Sequence, residues 1–223
     1  MIRKAFIVCG LFLLLGSLAS AKVTQLNYTA TFGIFGKVGT IENTLTQNQK
    51  TYKIETTVIV EGLAKVLMRN PTERYISKGH MENGLMVSDY YQMISSKQDK
   101  KVSKEYHIDH KNKFVTKRYR KWREGKLITD KTEKLKFYAK DDLLTLYFNL
   151  GNAVKQKGKT YLFKAVGLEK QDGKVHITVP NDTEAVSYIQ DLGQGALLYA
   201  KALIHQKNFR KKKGDILLGV AKD

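Results

Sequence analysis

The densest run of metal-type ligands is His107-Ile108-Asp109-His110. Read as the end of a strand, it places His107 and Asp109 on one side and hands His110 to the turn that follows, because successive strand residues face opposite ways. A zinc site normally closes with four ligands at recognisable spacing. His80, His176 and His205 stand singly, so no metal is expected. Paired carboxylates of the kind that hydrolyse glycosides occur as Asp141 with Asp142 and as Asp89 with Glu105. Helix capping accounts for the first pair, and nothing in the sequence links the second. The chain has no Gly-x-Ser-x-Gly elbow, phosphate-binding glycine loop or dinucleotide fingerprint, so neither a catalytic residue nor a cofactor is expected.

The basic residues are more informative. Lys97, Lys100, Lys101 and Lys104 precede a strand-like segment holding Lys117, Arg118, Arg120, Lys121, Trp122 and Arg123, and Arg210 to Lys213 forms a further cluster. Cations interleaved with aromatics such as Phe114, Tyr119 and Trp122 also grip single-stranded nucleic acid. An export signal argues against that partner. Arg3 and Lys4, the apolar run Ala5 to Leu15 and the small residues Ala19-Ser20-Ala21 have the layout of a cleaved secretory signal. The run is shorter than the roughly 20 residues of a spanning helix. The expected division is a signal peptide over 1–21 and one β-rich domain over 22–223, placed in the periplasm and not lipidated. Losing Arg3 and Lys4, two cations and no acid, lowers the formal charge from +18 to +16. The single cysteine, Cys9, lies within the signal, which excludes disulfide and thiol chemistry from the mature chain. Two readings of the cations follow. They are solvated strand faces that protect sheet edges, or Lys117, Arg118, Arg120, Lys121, Trp122 and Arg123 capture anionic lipid head groups.

The elements that would position such a site are mostly strands. Tyr52, Ile54, Thr56, Val58 and Val60 alternate with Lys53, Glu55 and Thr57, which is the period of a half-buried strand. A first hairpin reverses between Gly33 and Gly36. Turns are expected at Glu82-Asn83-Gly84, Gln98 to Lys101, His110 to Asn112 and Glu124-Gly125, and strands at 160–167, 174–179, 184–190, 196–209 and 215–220. Short turns join antiparallel neighbours. A short helix spans Gly62 to Arg69. One segment, Asp141 to Leu150, has helical spacing: Leu143, Leu144, Tyr147 and Leu150 share a face that Leu146 and Phe148 widen. Asp141 or Asp142 caps its start and Gly151 its end. About a dozen twisted strands cannot lie flat. The expected fold is mainly all-β, a curved or closed antiparallel meander, barrel-like, wrapped around this central helix, with one further short helix. Leu144, Tyr147 and Phe148 would line or plug its cavity.

The order of features resembles the exported bacterial family called domain of unknown function 3108. The resemblance rests on the hairpin LNYTATFGIFGKVGT, GLAKVLM followed by RNPTERY, the YHIDHKNK turn, the DDLLTLYFNL helix, the KGKTYLF strand and the GDILLGV ending, which span almost the whole mature chain. It implies a predominantly β envelope protein similar to the carrier folds that shield acyl chains, and it implies no catalytic residues. The functional expectation is a non-enzymatic periplasmic protein that binds an apolar or anionic envelope ligand, of lipid or lipopolysaccharide type, with peripheral membrane contact and no nucleic acid. The alternatives are an accessory factor that docks an envelope protein by a sheet edge, and, behind it, an envelope hydrolase.

Overall fold

The computed structural model describes residues 21–31, 37–67, 71–204 and 214–221. The expected signal segment before Ala21, the Gly33 to Gly36 reversal, the end of the short helix, His205 and the Arg210 to Lys213 cluster lie outside these residues. The alternating segments form β1 (Lys22–Thr31), β2 (Lys37–Gln47) and β3 (Thr51–Val60), followed by α1 (Gly62–Leu67). The meander continues through β4 (Pro71–Glu82), β5 (Leu85–Lys97), β6 (Lys100–Asp109), β7 (Phe114–Arg123) and β8 (Lys126–Lys134). These eight strands pair antiparallel in chain order, so β1 and β8 are the two edges of a curled half-barrel. Twist and register shifts beside Ala30, Lys78 and Lys121 bend it. Asn83-Gly84 and Glu124-Gly125 close two hairpins with positive φ at both positions, as two-residue turns between twisted strands require.

The rest of the chain lies on the half-barrel as a second sheet. It contains β9 (Asp141–Asp142), α2 (Leu143–Ala153), β10 (Thr160–Val166), β11 (Lys174–Thr178), α3 (Asp182–Leu192), β12 (Ala196–Ile204) and β13 (Gly214–Ala221). The strand order is β13-β12-β11-β10-β9, antiparallel except for the short parallel contact of β9 with β10.

The mainly β, curled architecture around a central helix is as expected, with its strands divided between two sheets. Two expectations need correction. Residues 184–190, expected as a strand, belong to α3. Asn181 accepts a hydrogen bond from the Glu184 N–H, the Glu184 side chain accepts one from the Asn181 N–H, and this reciprocal cap starts a helix whose half-buried residues, Ala185, Tyr188 and Ile189, have helical spacing. The α2 helix passes through Gly151 to Ala153. Gly151 sits next to Val220 and Leu197, and the helix ends where Val154 turns extended and is buried.

α2 stands between the two sheets and has two apolar faces. Leu146, Leu150 and Val154 are buried with Val175, Ile177 and Ala202 of the five-stranded sheet. On the opposite side Leu144 and Phe148 pack with Leu45, Tyr52, Ile54 and Met86 of the half-barrel, and Leu144 also meets the Tyr91, Tyr106 and Val115 cluster.

Candidate functional site

The half-barrel side of α2 is held by a sealed polar network. Asp142, fully buried, caps the helix: Oδ1 accepts the N–H groups of Leu144 at 2.7 Å and Thr145 at 3.1 Å. Its Oδ2 accepts hydroxyls from Ser77 at 2.5 Å, Ser88 at 2.6 Å and Thr145 at 2.9 Å. Tyr52 joins the same group, 2.7 Å from Thr145 and 3.2 Å from Ser77. Burial pushes the Asp142 carboxyl above its usual range, against the pull of its hydroxyl donors, and burial beside this carboxyl raises Tyr52. One turn on, the Asn149 amide pairs with the backbone of Met86. It accepts the N–H at 3.1 Å and donates to the carbonyl at 2.8 Å, like a missing neighbour strand. Each bond is directional, so together they fix the rotation and height of the helix on β3, β4 and β5.

The other side of α2 is apolar except at one tip and leaves space. A half-enclosed cavity of about 120 Å³ lies between Leu143, Leu146, Tyr147 and Leu150 of the helix and Val175, Ile177, Ala202, Ile216 and Leu218 of the small sheet. The one polar tip at this wall is the Tyr147 hydroxyl, 2.9 Å from the Tyr28 hydroxyl of β1 and donating to the Gly219 carbonyl of β13 at 3.3 Å. Tyr147 thereby ties the edge strand of one sheet to the edge strand of the other through the helix. Burial and the Tyr28 hydroxyl hold its phenol above the usual range.

Of the residues expected around a cavity, Tyr147 lines this one, whereas Leu144 and Phe148 face the half-barrel. Leu143, Leu146 and Leu150 line it instead. Steps of 100° separate Leu143, Leu146, Tyr147 and Leu150 from Leu144, Thr145, Phe148 and Asn149, so a helical wheel carried the signal. Tyr28 and Asn149 had no such signal, since their partners are remote in sequence.

The expected head-group residues divide between the two faces of β7. Lys117 and Lys121 share the face of buried Tyr106 and Val115, while Arg118, Arg120 and Trp122 face the other way. Several are already matched. Lys117 meets Glu133 at 3.0 Å and Glu169 at 3.2 Å, Arg118 meets Asp130 at 2.6 Å, and Arg120 pairs with Glu105. Trp122 lies under Lys101 and Arg120. Arg123 is exposed at the strand end, 3.9 Å from Asp99.

The histidine run also disperses. His107 packs on Tyr90, Asp109 caps the turn at Asn112, and His110 bonds to the Ser88 carbonyl and the Tyr138 hydroxyl, both at 2.8 Å. Asp89 sits 3.0 Å from His80 and 3.3 Å from His110, apart from Glu105 and its own partners Arg120 and Gln92. Among the described residues no group of three or more histidines and carboxylates could hold a metal ion. Asp141, next to the sealed Asp142, keeps one buried oxygen unpaired, and burial with the neighbouring carboxyl raises its pKa to about 6.

The protein is thus a curled β half-barrel whose helix is locked on one side and borders an apolar cavity on the other. No family model matches the chain, and no curated protein or solved structure matches it either.

Proposed function

We propose that the protein is a non-enzymatic periplasmic carrier that takes an apolar chain, of lipid or lipopolysaccharide type, between α2 and the five-stranded sheet. The observation that supports this most is the 120 Å³ apolar cavity on the unlocked side of the helix. Ligand pockets for whole small molecules usually run from about 300 Å³ upward, whereas an engineered void of about 150 Å³ takes benzene. The cavity therefore suits the end of an acyl chain, and a longer stretch enters when α2 or β13 gives way. The export signal read in the sequence, and the resemblance to domain of unknown function 3108, support the compartment. The non-enzymatic reading is supported by the closure of Asp142 in its hydroxyl cage and by the separate engagement of Asp89 and Glu105.

The test is native mass spectrometry of protein purified from its own envelope, followed by organic extraction. The expected result is a lipid-sized adduct that extraction releases. A bare mass across mild conditions contradicts the carrier. It would favour a second reading, an accessory factor that docks an envelope protein by strand addition. The observation behind that reading is β13, which among the described residues is an edge strand paired only with β12, and whose segment Ile216 to Ala221 carries no charge. A protein that co-purifies in place of a lipid is its signature.

A further inference from the structure

At one end of the half-barrel the register builds a feature that the fold does not need. Lys97 pairs with Lys100 across the β5–β6 turn, Lys100 with Arg123, and Arg123 with Lys126 across the β7–β8 turn. Four cations therefore stand in one row over four neighbouring strands, all exposed. Like charges directly opposite one another destabilise a sheet, and the opposition here occurs three times in succession. Asp99, 3.9 Å from Arg123, and Glu124 are the acids within these turns. The two turns are joined by the Glu124 N–H donating to the Asp99 carbonyl at 2.9 Å, so they form one tip.

Beside the row lies apolar surface. Lys101 pairs with Trp122 and Trp122 with Leu127, and Leu127 and Ile128 are 51% and 50% exposed. The register shift next to Trp122 leaves Ile128 without an opposite partner on β7. Exposed aliphatic side chains and an indole, flanked by long cationic stems, match the boundary between lipid head groups and acyl chains, where tryptophan is enriched and lysine reaches outward to phosphate. A protein partner is a poorer fit, since a stable interface buries about 800 Å² per side and this apolar surface comes from three side chains.

We propose that the tip formed by the β5–β6 and β7–β8 turns docks on an anionic phospholipid surface, with Trp122, Leu127 and Ile128 entering the head-group layer and the cationic row holding phosphates. The assignment does not depend on the cavity. It also moves the membrane contact from β7 as a whole to a strand end that includes only Trp122 and Arg123 of the residues expected from sequence.

Trp122 is the only tryptophan in the chain, so its emission reports on the tip alone. Protein purified from an exporting bacterial host is titrated with vesicles of phosphatidylglycerol mixed with phosphatidylcholine, and separately with phosphatidylcholine alone. The expected result is a blue shift with the anionic vesicles, suppressed by high salt, and a much smaller one with phosphatidylcholine. Leu127→Ser with Ile128→Ser weakens vesicle affinity about tenfold, the factor that 1.4 kcal/mol carries. Lys100→Gln with Lys126→Gln weakens it by a similar factor. These side chains are exposed, and circular dichroism checks the fold. Unshifted emission, equal shifts with both lipids, wild-type affinity in either pair of variants, or binding to an acidic polypeptide without binding to vesicles overturns the proposal. Persistence of the lipid adduct in the Leu127 and Ile128 variant separates failure of docking from failure of the carrier.

Discussion

α2 meets two sheets that treat it in opposite ways. Toward the half-barrel it presents Thr145 and Asn149, and with the Asp142 cap these make six hydrogen bonds to Tyr52, Ser77, Met86 and Ser88. Toward the five-stranded sheet it presents Leu143, Leu146 and Leu150, where contact is apolar, non-directional and incomplete. One short helix thereby serves as both anchor and wall. A buried carboxylate with satisfied donors specifies a single placement, whereas aliphatic side chains over a void tolerate displacement at modest cost. Ligand entry should thus loosen the small sheet and leave the half-barrel unchanged.

The largest effect is expected where the anchor is cut. Asp142→Ala leaves three buried hydroxyls and two helix N–H groups without their acceptor, and should cost about 3–5 kcal/mol, read as a lower urea midpoint. A loss below about 1 kcal/mol would show that the network is decorative. On the opposite wall Leu150→Ala should cost near the lower end of about 2–5 kcal/mol, because a void already borders the side chain. That variant should also bind larger apolar molecules than the wild type, measured by thermal shift, and equal ligand size limits would show that this wall does not set the size of the site.

Asp141 tests the margin of the anchor through pH. Its ordinary pKa of 3.8 rises to about 6 in the folded chain, so folding favours the protonated carboxyl. The stabilisation is full below pH 3.8 and is lost as pH rises through 6. Asp141→Asn should flatten this fall and raise stability at pH 8 by about 1–2 kcal/mol, a value discounted for its partial exposure. An unchanged slope between pH 4 and pH 7 would exclude Asp141 as its source. The smallest effect belongs to Tyr147→Phe, which removes the tie between β1 and β13. It should cost about 0.5–1.5 kcal/mol and speed amide exchange in β13 while β4 and β5 stay protected.

Much of this was legible in the sequence, for local reasons. Alternation in Tyr52, Ile54 and Thr56 reports a half-buried strand wherever its partners lie, and Asn83-Gly84 dictates its own turn. Asp142 as a helix cap is equally local. What sequence left open depends on partners distant in the chain. Ser77 and Ser88 are unremarkable strand serines until Asp142, 65 and 54 residues on, is brought beneath them. The cations of β7 look like one patch because they are contiguous. Pairing separates them, neutralises Arg118 and Arg120, and gathers Lys97, Lys100, Arg123 and Lys126 from four strands instead. At 184–190, where a strand was expected, the Asn181 and Glu184 pair three residues apart is the local signal of a helix start.

Entry of an apolar chain on the small-sheet side of α2 is tested by titrating methyl-labelled protein with dodecanoate and following it by NMR. The expected result is a set of saturable shifts at Leu143, Leu146, Leu150, Ile177, Ile216 and Leu218, with Leu45, Ile54 and Leu144 unmoved. Absence of shifts at saturating ligand, or shifts centred on the half-barrel methyls, would rule out entry on that side.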